Sequence, residues 1–160
     1  MAKNVILTTL VVVLDEKHEK VLLVNRRKRN WQGFAAPGGH VDYPESLMDC
    51  AIREVREETG LTVSDLKLMS ISHFEGLNED ESYFVFNYMT DQYSGEIQPG
   101  DGEDPAQWIP LNRLDDYPLA AGFRARLEAM LRGKHEEFYQ TWSRCEDGST
   151  VVENIVVYPM

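Results

Sequence analysis

The chain is short of cysteine, of basic charge and of long apolar runs, and each shortage closes off a class of protein. Its 160 residues hold two cysteines, Cys50 and Cys145, with no CxxC pair and no zinc-ligand spacing. That is not a disulfide-stapled scaffold, and a reducing cytoplasm is the expected compartment. Lysine and arginine number 16 against 27 aspartates and glutamates, a formal charge of −11 at pH 7. A field of that sign argues against long nucleic acid as a partner, yet admits a free nucleotide that meets a local positive pocket. The apolar run at residues 5–14 is too short to span a bilayer. Asp15-Glu16-Lys17 follows it, where a signal peptide would place small residues. No membrane partner is expected, and the run reads as a buried strand. There is no internal repeat, low-complexity tract or linker, and the length suits one domain, residues 1–160, with a real core. Nothing in the sequence marks its oligomeric state.

What is present begins with strand signals. Residues 5–14 and 21–24 are rich in β-branched side chains and flank a polar turn, so they are expected to pair as a hairpin. Residues 30–39 read as a loop with Trp31, Gly33, Pro37 and the Gly38-Gly39 pair. Pro44-Glu45-Ser46 opens a helix, Leu47, Ala51 and Val55 form its inward stripe, and Gly60 stops it. Residues 66–74 and 82–90 read as strands, 107–110 as a short one and 119–132 as a second helix. Residues 136–142 and 151–157 flank a Glu-Asp-Gly-Ser turn and read as a terminal hairpin.

The first helix carries the chemistry. Arg53-Glu54-Val55-Arg56-Glu57-Glu58 puts Glu54, Glu57 and Glu58 at i, i+3 and i+4, on one helical face. Three like charges there repel unless a cation sits among them. Clustered hard oxygen donors suit Mg²⁺ or Mn²⁺. A plainer alternative is a surface ladder through Glu45, Asp49, Arg53 and Glu57. The ladder accounts for neither the glycines nor the three-carboxylate face.

These residues sit at fixed spacings: Gly39, Glu45, Arg53, Glu54, Val55, Glu57, Glu58, Gly60 and Leu61. In them the chain resembles the Nudix family, whose box reads G-x5-E-x7-R-E-U-x-E-E-x-G-U, with U a bulky aliphatic residue. All nine constrained positions are filled, which is a specific signal. The resemblance implies an α/β/α sandwich with a mixed β-sheet and a metal-dependent hydrolase of nucleoside diphosphates linked to another group. By the same resemblance Glu54, Glu57 and Glu58 are metal ligands with the Gly38 carbonyl, and Glu54 is the best candidate base. Arg53 would orient a carboxylate by a charge-assisted bond, while Glu45 anchors the loop. A further metal carboxylate from outside the box is Glu103, five residues before Trp108, with Asp101 and Asp104 as rivals. Within the basic run 26–29, Arg26 is the choice for meeting substrate phosphates.

Trp31-Gln32-Gly33-Phe34, Pro37 to Val41 and Tyr93-Ser94-Gly95-Glu96 resemble MutT-like proteins of the 8-oxo-dGTP diphosphatase type. The implied reaction turns a nucleoside triphosphate into monophosphate and pyrophosphate. Alternatives are another diphosphate, such as an RNA 5′ end or a nucleotide sugar, or a nucleotide-sensing module that kept the fold. One departure bears on the base. Enzymes for oxidised purines use an aspartate pair after Trp-Pro, whereas this chain has Tyr117-Pro118-Leu119-Ala120, with Asp115 and Asp116 just before it. Tyr83, Phe84 and Phe86 are expected in core packing, with stacking on a base as the alternative. His40 and His73 are read as structural.

Overall fold

The computed structural model describes residues 3–27, 31–76, 79–100 and 104–160. In chain order the strands are β1 (Asn4–Val13), β2 (Lys20–Arg26), β3 (Gly33–Ala35) and β4 (Gly38–His40). Helix α1 (Leu47–Thr59) follows, then β5 (Thr62–Ser64), β6 (Lys67–Glu75), β7 (Glu81–Thr90), β8 (Gln92–Ser94) and β9 (Gln107–Pro110). A 3-10 segment, Leu111–Asp116, leads to α2 (Phe123–Leu131), and β10 (Glu136–Arg144) and β11 (Thr150–Pro159) close the chain. A mixed six-stranded sheet runs β11-β10-β6-β7-β1-β4, with β3-β2-β9 forming a second sheet and β5-β8 a small third. This is the α/β class that the sequence implied.

Strand β1 is the centre of the construction. From Leu10 onward it is buried on both faces, and alternation sends successive side chains to opposite sides. Leu10 and Val12 pack with Phe123, Leu127 and Met130 of α2. Val11 and Val13 pack with Ala51 and Val55 of α1. The two helices therefore cover opposite faces of one sheet. Each such buried aliphatic side chain contributes roughly 1.5–3 kcal/mol relative to exposure, which is why this strand reads as a continuous apolar run.

Several expectations are corrected. Residues 5–14 and 21–24 do not form a hairpin. β1 is flanked by β7 in parallel and β4 in antiparallel register, so no edge is left for β2. β2 crosses into the second sheet, and only the Leu14–Val21 bridge remains between them. The stretch 30–39 is not wholly loop, since β3 and β4 lie within it. Helix α1 begins at Leu47 rather than at Pro44. Ser46 caps it, its hydroxyl accepting from the Asp49 amide at 3.0 Å. Gly60 ends it at φ 84°, a left-handed conformation that glycine adopts without steric cost. The second helix begins only at Phe123, because Leu119 bridges to Phe34 of β3. No helix among the described residues is long and apolar enough to cross a membrane.

Candidate active site

Gly38, the box glycine Gly39 and the box helix meet at β4. Gly38 lies so close to β1 that an added Cβ would stand 2.0 Å from the Thr9 carbonyl oxygen. A Cβ on Gly39 would stand 2.5 Å from the Glu54 carboxylate. The missing side chains are what let the carboxylate lie against the strand. Gly38 N donates to Glu58 Oε2 at 3.1 Å, so Gly38 and the box glycine Gly39 stand against two of the three expected carboxylates. Glu54 and Glu58 are largely buried, while Glu57 is 54% exposed.

Arg53 organises this cluster. Its Nε and Nη2 donate to Glu45 at 3.0 and 2.7 Å, a two-pronged contact. Nη1 donates to Glu54 Oε1 and to Glu57 Oε2, each at 3.0 Å, and Nη2 also reaches the His40 carbonyl at 3.1 Å. The cation that the like-charged face requires is thus supplied by the chain itself for Glu54 and Glu57. Half of the surface ladder also forms, through Glu45–Arg53–Glu57, whereas Asp49 turns to Ser46. The Arg53 guanidinium, with help from the Asp42 amide, holds the Glu45 carboxyl down at about 2. Arg53 itself is raised above its ordinary value, first by its bond to Glu45. Cys50 is a buried free thiol pushed up to about 11 by desolvation, a packed residue as expected.

Arg26 is the last residue of β2. It is buried, donates to the Ala36 carbonyl at 3.3 Å and to the Gly38 carbonyl at 3.5 Å, and stands 3.9 Å from Glu58. Asp104 pairs with Arg27 at 2.6 Å. Glu103 and Asp101 lie outside the described residues. Gly100 runs against the helix end, where an added Cβ would sit 3.0 Å from the Glu58 carbonyl oxygen.

The donor chemistry fits a divalent metal. Carboxylate oxygens of Glu54 and Glu58 and the carbonyl of Gly38 are hard ligands gathered at one strand–helix junction. Among the described residues no three His, Cys, Asp or Glu side chains come close enough to enclose an ion by themselves. A divalent ion held by so few side chains completes its shell with waters and substrate phosphate oxygens.

A cavity of about 440 Å³ opens beside this junction, the size of a small-molecule site. Gly38, Gly39, His40 and Arg26 line it, together with Thr8, Leu10 and Val85 from the sheet. Phe74 and Tyr83, stacked at 5.1 Å, line it with Trp31 and Trp142. Of the three candidate aromatics, then, Tyr83 faces the cavity. Phe84 stacks on His73 and Phe86 packs on the α1 side. Asp115 and Asp116 do not line the cavity. Asp115 is paired with Arg124 and Asp116 with Arg113 on the surface.

Among the cavity residues that escaped the sequence reading are Arg126 and Gln140. A signal for each was present. Arg126 falls on the apolar face of α2, between Phe123 and Leu127–Met130, and Gln140 alternates in register with Phe138 and Trp142 on the inward face of β10.

Sheet order, flanking helices and a glycine-backed carboxylate junction define an α/β fold of the MutT type. The MutT protein of Bacillus halodurans superposes with a TM-score of 0.76 at 25% identity, over 97% of this chain and 99% of that one. The NUDIX domain model matches residues 6–132, and the chain belongs to the Nudix family. It is similar to the Nudix hydrolase YvcI of Bacillus subtilis, 32% identical over 119 residues, 72% of this chain and 74% of that protein. It is also similar to the oxidized purine nucleoside triphosphate hydrolase of Danio rerio, 34% identical over 113 residues, 68% of each. The chain is a Nudix hydrolase acting on diphosphate-containing substrates, and hydrolases of this family use divalent metal ions.

Proposed function

We propose that the chain is a Mg²⁺-dependent nucleoside triphosphate pyrophosphohydrolase that releases a monophosphate and pyrophosphate. The observation that carries this reading is the placement of Glu54. Its carboxylate lies against Gly39, which itself lines a cavity walled by aromatic rings. A planar base enters such a cavity, and its phosphates then lie at the carboxylate junction. When bound, the metal neutralises phosphoryl charge and makes a bound water more acidic. Glu54, Glu58 and the Gly38 carbonyl would hold it, with Glu57 and Glu103 as further carboxylates.

The chain's own residues do the rest. Glu54 takes the proton of the attacking water. Arg53 fixes the Glu54 carboxylate in place and keeps it ionised. Arg26 offers a buried cation in the cavity lining, where substrate phosphates approach. The test is a substrate panel with Mg²⁺, scored for pyrophosphate against orthophosphate release. Pyrophosphate from nucleoside triphosphates is the expected product, and it is abolished by excess EDTA. Turnover in EDTA, or cleavage confined to capped RNA ends or nucleotide sugars, overturns the proposal.

A further inference from the structure

The cavity wall on the α2 side holds a cation that the phosphate chemistry does not use. Arg126 is only 4% exposed, yet among the described residues no carboxylate lies within ion-pair distance of it. Among the described residues its one hydrogen bond runs from Nη1 to Asn87 Oδ1 at 3.4 Å, a long contact, and Nε has no partner there. The guanidinium lies 5.0 Å from the Trp31 ring centre. Burial, and next the neighbouring charge of Arg26, lower it to about 10, so it remains a cation at neutral pH. A buried guanidinium with this few partners is costly unless something else completes its hydrogen bonding.

Gln140 stands in the same wall, 1% exposed. Its Oε1 accepts from Trp142 Nε1 at 3.2 Å, which fixes the amide orientation and leaves Nε2 as a donor with no partner. Arg126 and Gln140 therefore present donors only. The wall they stand in is aromatic, so the occupant is a flat ring rather than a bare anion. Gln140 and Trp142 belong to the terminal hairpin, beyond the residues matched by the family model. This wall is accordingly built where the terminal hairpin packs on α2.

The geometry points to a base-reading wall in which the Arg126 fork, assisted by Gln140, accepts a purine edge with two adjacent hydrogen-bond acceptors, the pattern of O6 and N7 in guanine. Adenine presents one acceptor and one donor on that edge, and the donor meets a guanidinium that can only donate. An 8-oxo purine carries N7–H in place of the N7 acceptor, so this wall gives it no advantage. The inference rests on the nucleotide reading of the cavity, and binding without turnover separates the two.

Calorimetry with GMP and AMP on the full chain reads the wall without hydrolysis. GMP is expected to bind at least about tenfold tighter, as one bidentate arginine contact allows. Arg126→Lys keeps a cation but loses the fork and should bring the ratio toward one. Gln140→Met removes the assisting donor and should lower the ratio severalfold, which serves if the lysine variant does not fold. Equal binding of GMP and AMP by the parent protein, or an unchanged ratio in every folded variant, overturns the inference. Guanine preference without triphosphate cleavage leaves the wall standing and removes the proposed reaction instead.

Discussion

Two arginines of this molecule are held in opposite ways. Arg53 has partners on every side: Glu45, Glu54, Glu57 and the His40 carbonyl. Arg126, more deeply buried, has one amide oxygen at 3.4 Å and an indole face. The consequence appears in their proton affinities. Arg53 is raised by its carboxylates, and Arg126 is lowered by burial and by Arg26. An arginine with all its donors engaged holds other side chains in place. One with donors to spare is available to a ligand. In the proposed reading the Nudix box thus supplies rigid machinery on the α1 side of the sheet, and the α2 side the recognition.

The comparison breaks most sharply at Glu54. Glu54→Gln should lower kcat by about 10²–10⁴-fold while the fold persists, since shape is kept and the base is lost. Retention of more than about a tenth of the parent kcat would transfer the base role to another carboxylate. Arg53→Lys comes next, because an ammonium cannot replace the fork on Glu45 while also holding Glu54 and Glu57. Activity should fall about 10–100-fold, the usual loss when a residue that orients metal ligands is replaced. Unchanged kinetics would show that Glu54 is positioned without it.

Arg26→Ala should act differently, raising KM for triphosphates about tenfold or more with a smaller change in kcat, as loss of a uniformly used charged contact does. A fall in kcat with constant KM would move Arg26 into the machinery side of the comparison. The smallest effect lies at an ion pair that neither arginine joins. Lys3, then Ser82, hold the Glu75 carboxyl at about 2, below its ordinary value of 4.5. A depressed carboxyl stabilises the fold above its unfolded value and loses that contribution as pH falls from about 4.5 toward 2. Glu75→Gln should flatten that acid limb and lower the neutral-pH Tm by roughly 1–3 °C, in keeping with a surface ion pair. An unchanged acid limb in thermal melts would leave the Lys3–Glu75 contact without a role in stability.

The carboxylate junction was legible because its parts are close in sequence. Arg53, Glu54, Glu57 and Glu58 share one helical face by spacing alone, and Gly38–Gly39 announces a close approach. The pairing of β1 and β2 was not legible. A strand buried on both faces has no period-two signal, so nothing local says that β7 and β4 occupy its edges. The recognition wall was hidden for another reason. Arg126 and Gln140 come from different elements, and each looks like an ordinary polar interruption of an apolar pattern until β10 docks beside β6. Asp115 and Asp116 were the visible acidic pair in that neighbourhood, yet Arg124 and Arg113 hold them at the surface.

Trp31 lies 5.5 Å from the Arg26 guanidinium and 5.0 Å from that of Arg126, with its indole N–H bound to the Ala121 carbonyl at 2.8 Å. Of the three tryptophans it and Trp142 line the cavity, whereas Trp108 packs with Tyr93 on the α1 side. The indole is sensitive to the position of both charges, one on the phosphate side and one at the base wall. A molecule that draws either guanidinium toward itself changes the electric field across that ring. A ligand that shifts either charge is therefore expected to change the intrinsic tryptophan emission, which a fluorescence titration without turnover reads.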